Sequence, residues 1–134
     1  MIKKITLGIT LFFSTLMIAS PAYADWEWVA ENEIGNNFYV DFDRMRKNNG
    51  YTYFWHLVDR LEPSDTGLLS YKVYNQGDCE VFRFKNLSFS FHKQPMGEGS
   101  EETISLPNPE WNYPPPNSSA EGILKLVCMY AETL

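Results

Sequence analysis

Apolar and polar residues alternate with a period of two, in short runs, through most of residues 38–106. Phe38-Tyr39-Val40-Asp41-Phe42 opens the series. In Tyr51–Leu61, Tyr51, Tyr53, Trp55 and Leu57 share one face, with Thr52, Phe54, His56 and Val58 on the other. Leu69, Tyr71 and Val73 point together, as do Phe82 and Phe84 in the run Cys79–Lys85. Leu87–His92 alternates most cleanly, with Leu87, Phe89 and Phe91 inward and Ser88, Ser90 and His92 outward and solvated. Glu102–Leu106 is a weaker run of the same kind. Successive strand side chains point to opposite faces, and aromatic and β-branched residues suit a half-buried pleated surface. These runs therefore predict strands.

Turn chemistry separates them: Asn48-Asn49-Gly50, Glu62–Gly67, Asn75-Gln76-Gly77-Asp78 and Pro95–Gly99. Gly and Asn accept positive φ, and Pro63 and Pro95 have no N–H to give a ladder. Short strands at this spacing predict an antiparallel meander of about five to six strands. The tail differs. Pro107, Pro109 and Pro114-Pro115-Pro116 forbid a central strand and predict an extended crossing of the surface. Ser118 followed by Glu121 is a capping box. Ala120, Ile123, Leu124, Val127, Cys128 and Ala131 then recur at helical spacing. The fold class is α+β: an antiparallel sheet with a C-terminal helix laid on it.

The first 24 residues read as a removable signal peptide. Lys3 and Lys4 precede an uncharged apolar stretch, Ile5–Ile18, and Ala22-Tyr23-Ala24 is a small-residue cleavage pattern. The apolar stretch is shorter than the roughly 20 residues of a spanning helix. Asp25 stands where a bacterial lipoprotein would carry its acylated Cys, so no lipid anchor is expected. Residues 25–134 form the single expected domain, exported to the periplasm, the cell surface or the medium. No membrane span is expected after cleavage.

Loss of Lys3 and Lys4 takes the net charge from −6 to −8. Such an acidic domain repels phosphate backbones, which argues against nucleic-acid binding. The two cysteines, Cys79 and Cys128, both lie in the exported part. An even count in an oxidising compartment predicts a disulfide, here joining the helix to a strand. The chain-entropy estimate for so long a loop is about 4 kcal/mol.

No catalytic constellation emerges. The only histidines are His56 and His92. With Met96 they are formal candidates for haem ligation, but C-x-x-C-H is absent. Asp41 and Asp43 point the same way from an extended run and read as caps of the turn that follows. The chain is expected to be no enzyme and to carry no metal or cofactor. The residues suited to docking are aromatic pairs two apart, Trp26 with Trp28 and Trp111 with Tyr113, and the short basic element Arg83-Phe84-Lys85.

Ordered marks along the chain resemble the surface-adhesin protein E-like family of exported bacterial domains. These are Trp26 or Trp28; Tyr39-Val40-Asp41 with Met45; Trp55-His56-Leu57-Val58-Asp59; Ser70-Tyr71-Lys72; Asp78-Cys79; Arg83; Met96-Gly97; and Trp111, Pro116, Ser118 and Cys128. The resemblance implies a curved antiparallel sheet with its C-terminal helix held by the disulfide. It also implies attachment to host extracellular-matrix proteins. The reading is an exported, non-catalytic binding or adhesion module, with Trp26, Trp28, Arg83, Lys85, Trp111 and Tyr113 as its binding residues and an extracellular or envelope protein as its partner. The alternatives are a periplasmic or envelope-associated structural homodimer, and a small-ligand or haem carrier.

Overall fold

The computed structural model describes residues 24–134. The expected signal peptide lies outside the described residues except for its last position. Seven strands form one antiparallel sheet: β1 Glu27–Glu31, β2 Asn37–Val40, β3 Arg46–Asn48, β4 Tyr51–Asp59, β5 Ser70–Asp78, β6 Arg83–His92 and β7 Glu101–Ser105. A single helix, α1, follows at Ser119–Ala131. The strand order is β1-β2-β4-β5-β6-β7, with β3 also on β4. β2 pairs with the Asp59 end of β4 and β3 with its Tyr51 end. A 3-10 turn, Phe42–Arg44, steps between them.

The meander and its helix are as the alternation predicts, with two strands more than the cleanest runs supply. β1 is broken by a register shift between Trp28 and Ala30, and all three residues of β3 are exposed. Neither shows clean period-two alternation. The runs Cys79–Lys85 and Leu87–His92 belong mostly to one strand, β6. In it Ser88 faces Tyr74 and Asn86 faces Asn75, so Leu87 is the extra residue of a bulge. The bulge brings Phe84 and Asn86 onto the same face as Phe89 and Phe91.

The segment Asn75-Gln76-Gly77-Asp78 is strand, not the expected turn; the turn falls at residues 79–82. Gly77 is there for packing. A Cβ on it would lie 3.3 Å from Leu124 Cδ1, Phe54 Cε1 and Thr52 O. Asp78 organises the real turn, its Oδ1 accepting from the N–H groups of Glu80 and Val81 at 3.2 Å each. Cys79 follows directly and is bonded to Cys128 of α1.

α1 begins where Ser118 Oγ accepts from Glu121 N–H at 3.1 Å. The reciprocal arm reaches one residue further back than a capping box requires, with Glu121 Oε1 accepting from Asn117 N–H at 3.1 Å. Ile123, Leu124, Val127 and Ala131 are buried against Val40, Met45 and Phe54. Each of the three larger helix side chains contributes about 1.5–3 kcal/mol through burial.

The opposite face is covered at one end by the loop after β6. Met96 N–H donates to Asp59 Oδ1 at 2.9 Å, Gly97 N–H to Ser70 Oγ at 2.8 Å, and Ser70 Oγ–H to Gln94 O at 2.6 Å. Both Met96 (φ 58°) and Gly97 (φ 67°) take left-handed backbone there. Leu57, Ser70, Ser90 and His92 are buried beneath this loop. The solvated position expected for His92 is therefore corrected: period two assigns its face, but the returning chain covers that face.

Candidate functional site

The face of the sheet away from α1 carries rings and cations in alternation. β4 contributes Tyr51, Tyr53 and Trp55, which are on the opposite side of the strand from the core residue Phe54. β5 contributes Tyr74, directly across from Trp55. The Tyr74 ring centroid is 4.8 Å from that of Trp55 and 6.1 Å from that of Tyr53. Arg46 lies 5.9 Å from the Tyr53 centroid, and its Nη2 donates to Tyr74 Oη at 2.9 Å. Arg44 sits 5.6 Å from the Trp55 ring and 5.9 Å from Trp26.

The proline-rich segment supplies the other end of this surface. Asn112 forms an antiparallel bridge with Phe84, with N–H donated each way at 2.8 and 3.0 Å. The bridge sets Trp111 over the neighbouring side chains of β6. Arg83 lies 4.1 Å and Lys85 4.5 Å from the Trp111 ring centroid, and the Tyr51 ring packs against it, tilted, at 5.6 Å. Arg83 Nη1 also donates to Tyr113 Oη at 3.4 Å.

Electrostatics separate these cations into two kinds. Arg83 Nε donates to Asp78 Oδ2 at 2.9 Å, and Arg44 Nε to Asp41 Oδ2 at 2.6 Å. Burial alone would raise the Asp78 carboxyl, but its bonds from Arg83, Val81 and Glu80 outweigh this and hold it below the ordinary carboxylate range. Arg46 and Lys85 have no carboxylate at ion-pair distance among the described residues. They are the free charges of the surface.

Of the sequence-predicted residues, the fold brings Arg83, Lys85, Trp111 and Tyr113 into one cluster. Trp26 joins the far end through Arg44. Trp28 stands apart, bonded through Nε1 to Asn37 Oδ1 at 2.8 Å and well exposed. Arg44, Arg46 and Tyr74 were not singled out by sequence. The signal for Tyr53 and Trp55 was present in the shared face of Tyr51, Tyr53 and Trp55.

The polar candidates have other roles. Asp41 is buried in its pair with Arg44, and the Asp43 carboxyl is raised by a hydrogen bond to Asp25, in which the protonated Asp43 donates, then by burial and nearby carboxylates. No side-chain bond from Asp41 caps the 3-10 turn, so the expected cap is replaced by an ion pair. His56 faces α1 and His92 the opposite side, so the sheet separates these two candidate haem ligands. His92 is held by a bond between Nδ1 and Glu98 O at 3.2 Å. Among the described residues no three His, Cys, Asp or Glu side chains group to hold a metal, and no helix is long and apolar enough to cross a membrane.

Residues 26–129 match the family described as Surface-adhesin protein E. The chain belongs to that family. Solved structures similar to this surface-adhesin chain include Haemophilus influenzae protein E, at 12% identity and TM-score 0.63, covering 85% of this chain and 91% of that one. A second crystal form of that protein matches at 13% identity and TM-score 0.62, covering 81% and 91%. Protein E from non-typeable Haemophilus influenzae matches at 15% identity and TM-score 0.59, covering 85% and 84%. At such identities the likeness establishes the shared fold. No curated protein matches the sequence.

Proposed function

We propose that this chain is an exported, non-catalytic adhesion module that docks an extracellular protein through the aromatic–cationic face of its sheet. The observation that carries this reading is the Trp111 cluster, where Arg83 and Lys85 both lie against one indole. Trp, Tyr and Arg are the residues that dominate binding energy at protein interfaces. Four of the nine Lys and Arg in residues 25–134 meet this ring set, in a domain whose charge is otherwise strongly negative. Such local positive charge steers an acidic patch of a partner into register. Membership of a surface-adhesin family supports the same reading and a place on the cell surface.

The test is biolayer interferometry of residues 25–134 over an immobilised basement-membrane extract. Saturable binding that weakens with salt, and that falls about tenfold or more in Trp111→Ala, is expected for a hot-spot aromatic. Equal binding by the variant overturns the assignment of this face. Protease treatment of intact source cells tests location: loss of the protein is expected, and survival until the outer membrane is opened excludes adhesion.

A further inference from the structure

On the other side of the sheet, beneath the N-terminal half of α1, lies a second and unrelated feature. A partly open cleft of roughly 200 Å³ runs between the helix and the strands it covers. Phe38, Phe54, Phe84 and Phe89 line it, and Ile123 closes it from the helix. His56 and Asn75 are the polar groups of interest within this mostly apolar lining.

Their hydrogen bonds define what the cleft presents. Asn75 Nδ2 lies 3.2 Å from Val73 O, 3.5 Å from Phe54 O and 2.8 Å from His56 Nδ1. Two backbone carbonyls on one side-chain atom assign that atom as the amide nitrogen. The nitrogen therefore donates to His56 Nδ1, which must be the unprotonated ring atom. Burial lowers the His56 pKa to about 4, so at neutral pH the ring is neutral with its proton on Nε2. Among the described residues His56 Nε2–H has no hydrogen-bond partner but is not sealed from solvent, whereas Asn75 Oδ1 is a buried oxygen with none. A donor left open on an aromatic wall can be met by a ligand that enters the cleft, and a polar group taken out of water in this way is normally hydrogen-bonded.

We infer that this cleft binds a small, neutral, planar aromatic molecule of one or two rings that accepts a hydrogen bond from His56 Nε2–H. Size sets the ring count. An apolar protein cavity of about 150 Å³ accommodates benzene, so the observed volume suits one ring or a fused pair and is too small for a porphyrin. Charge sets the neutrality, since no Lys, Arg, Asp or Glu lines the cleft. Tyr71 and Asn86 also line the cleft, but His56 Nε2–H is the donor whose tautomer the Asn75 bond fixes, and a site built around such a hydrogen bond rejects an isostere that cannot form it. The site is independent of the docking face and needs no partner protein.

The test is a chemical-shift titration of the 15N-labelled domain with three ring systems at pH 7.5. Quinoline has a ring-nitrogen acceptor, naphthalene has the same shape and none, and indole offers only a donor. Quinoline is expected to shift the His56 ring and Asn75 amide resonances saturably, and to bind about tenfold or more tighter than naphthalene and indole, the worth of one buried hydrogen bond. His56→Phe keeps a ring in place and is expected to abolish that preference. Equal affinity for quinoline and naphthalene overturns the inference, as does saturable quinoline binding mapped to the Trp111 face, or no saturable shift. Should His56→Phe fail to fold, the three-ligand comparison on the wild-type domain decides alone.

Discussion

The guanidinium of Arg83 lies 4.1 Å from the centroid of the Trp111 ring, while its Nε is bonded to Asp78. One side chain thus joins the turn that carries Cys79 to the surface that carries the half-buried rings. The disulfide, the turn and the proposed docking face form a single mechanical unit. Lys85 touches the same indole with no such tie. The two cations therefore separate binding from folding.

Lys85→Ala is expected to weaken binding to the basement-membrane extract and to reduce its salt dependence, with a stability change within about 0.5 kcal/mol. Arg83→Ala is expected to weaken binding and also lower Tm, because Asp78 loses its charged partner. Parallel interferometry and thermal melts check both. Identical melting of the two variants would detach the docking face from the turn.

Gly77→Ala is expected to destabilise the domain by about 1–3 kcal/mol, the cost of overpacking a formed core. The added methyl meets the backbone oxygen of Thr52, which cannot rotate away as a side chain does. Urea unfolding measures the loss. An unchanged midpoint would mean that α1 rides further from β5 than described.

Gly77 also marks the limit of what the sequence makes legible. Asn75-Gln76-Gly77-Asp78 has the composition of a turn, yet it is strand, because the demand for a glycine comes from Thr52, Phe54 and Leu124, all distant in sequence. The helix was legible throughout, since its cap and apolar stripe are local. β3 was not: Arg46-Lys47-Asn48 buries no side chain and shows no period. For His92 the alternation specified a face, but the loop held by Asp59 and Ser70 decides that the face is covered. The residues of the proposed docking face were legible as separate pairs. Their meeting depends on the Phe84–Asn112 bridge, a contact between distant segments that no local pattern announces.

Stability should rise with pH between about 4 and 6.5. His56 has a folded pKa of about 4, against about 6.5 for an unfolded chain. Within that window the unfolded chain holds a proton that the folded one lacks, so acid favours unfolding. The slope from this one group is up to about 1.4 kcal/mol per pH unit. The contribution is fully present above the upper limit and is lost as pH falls towards the lower one. His92, also lowered by burial and by Lys72, adds in the same sense. Urea unfolding at a series of pH values should show a flatter profile for His56→Phe. An unaltered slope would place the His56 ring in bulk water.

Ser70→Ala is expected to cost about 1–3 kcal/mol, since it strips partners from Gly97 N–H and Gln94 O in one step. Hydrogen exchange should locate the change at residues 94–99. Exchange that is unaltered there would relieve Ser70 of any part in holding the loop.

Reduction of Cys79–Cys128, or Cys128→Ala, should remove about 2–5 kcal/mol. The helix cap and the buried stripe remain, so partial retention of helix by far-ultraviolet circular dichroism is expected near room temperature. Full retention of Tm after reduction would assign the clamp to packing alone.

The proline-rich strap has a consequence for how this sheet ends. An outer strand is a row of unpaired N–H and C=O groups on which a foreign chain can nucleate. Along β6 that row is shut in two ways. Its first half is taken by Asn112, in a strap where Pro109, Pro114, Pro115 and Pro116 have no N–H to pass outward. Its second half is taken by β7, whose five residues are all exposed and begin with Glu101 and Glu102. Imino acids guard one stretch and carboxylates the other. At this end a fold that carries so many rings is thereby guarded against growth by strand addition, which leaves β1, the sheet's other outer strand, as the side on which a foreign chain could nucleate.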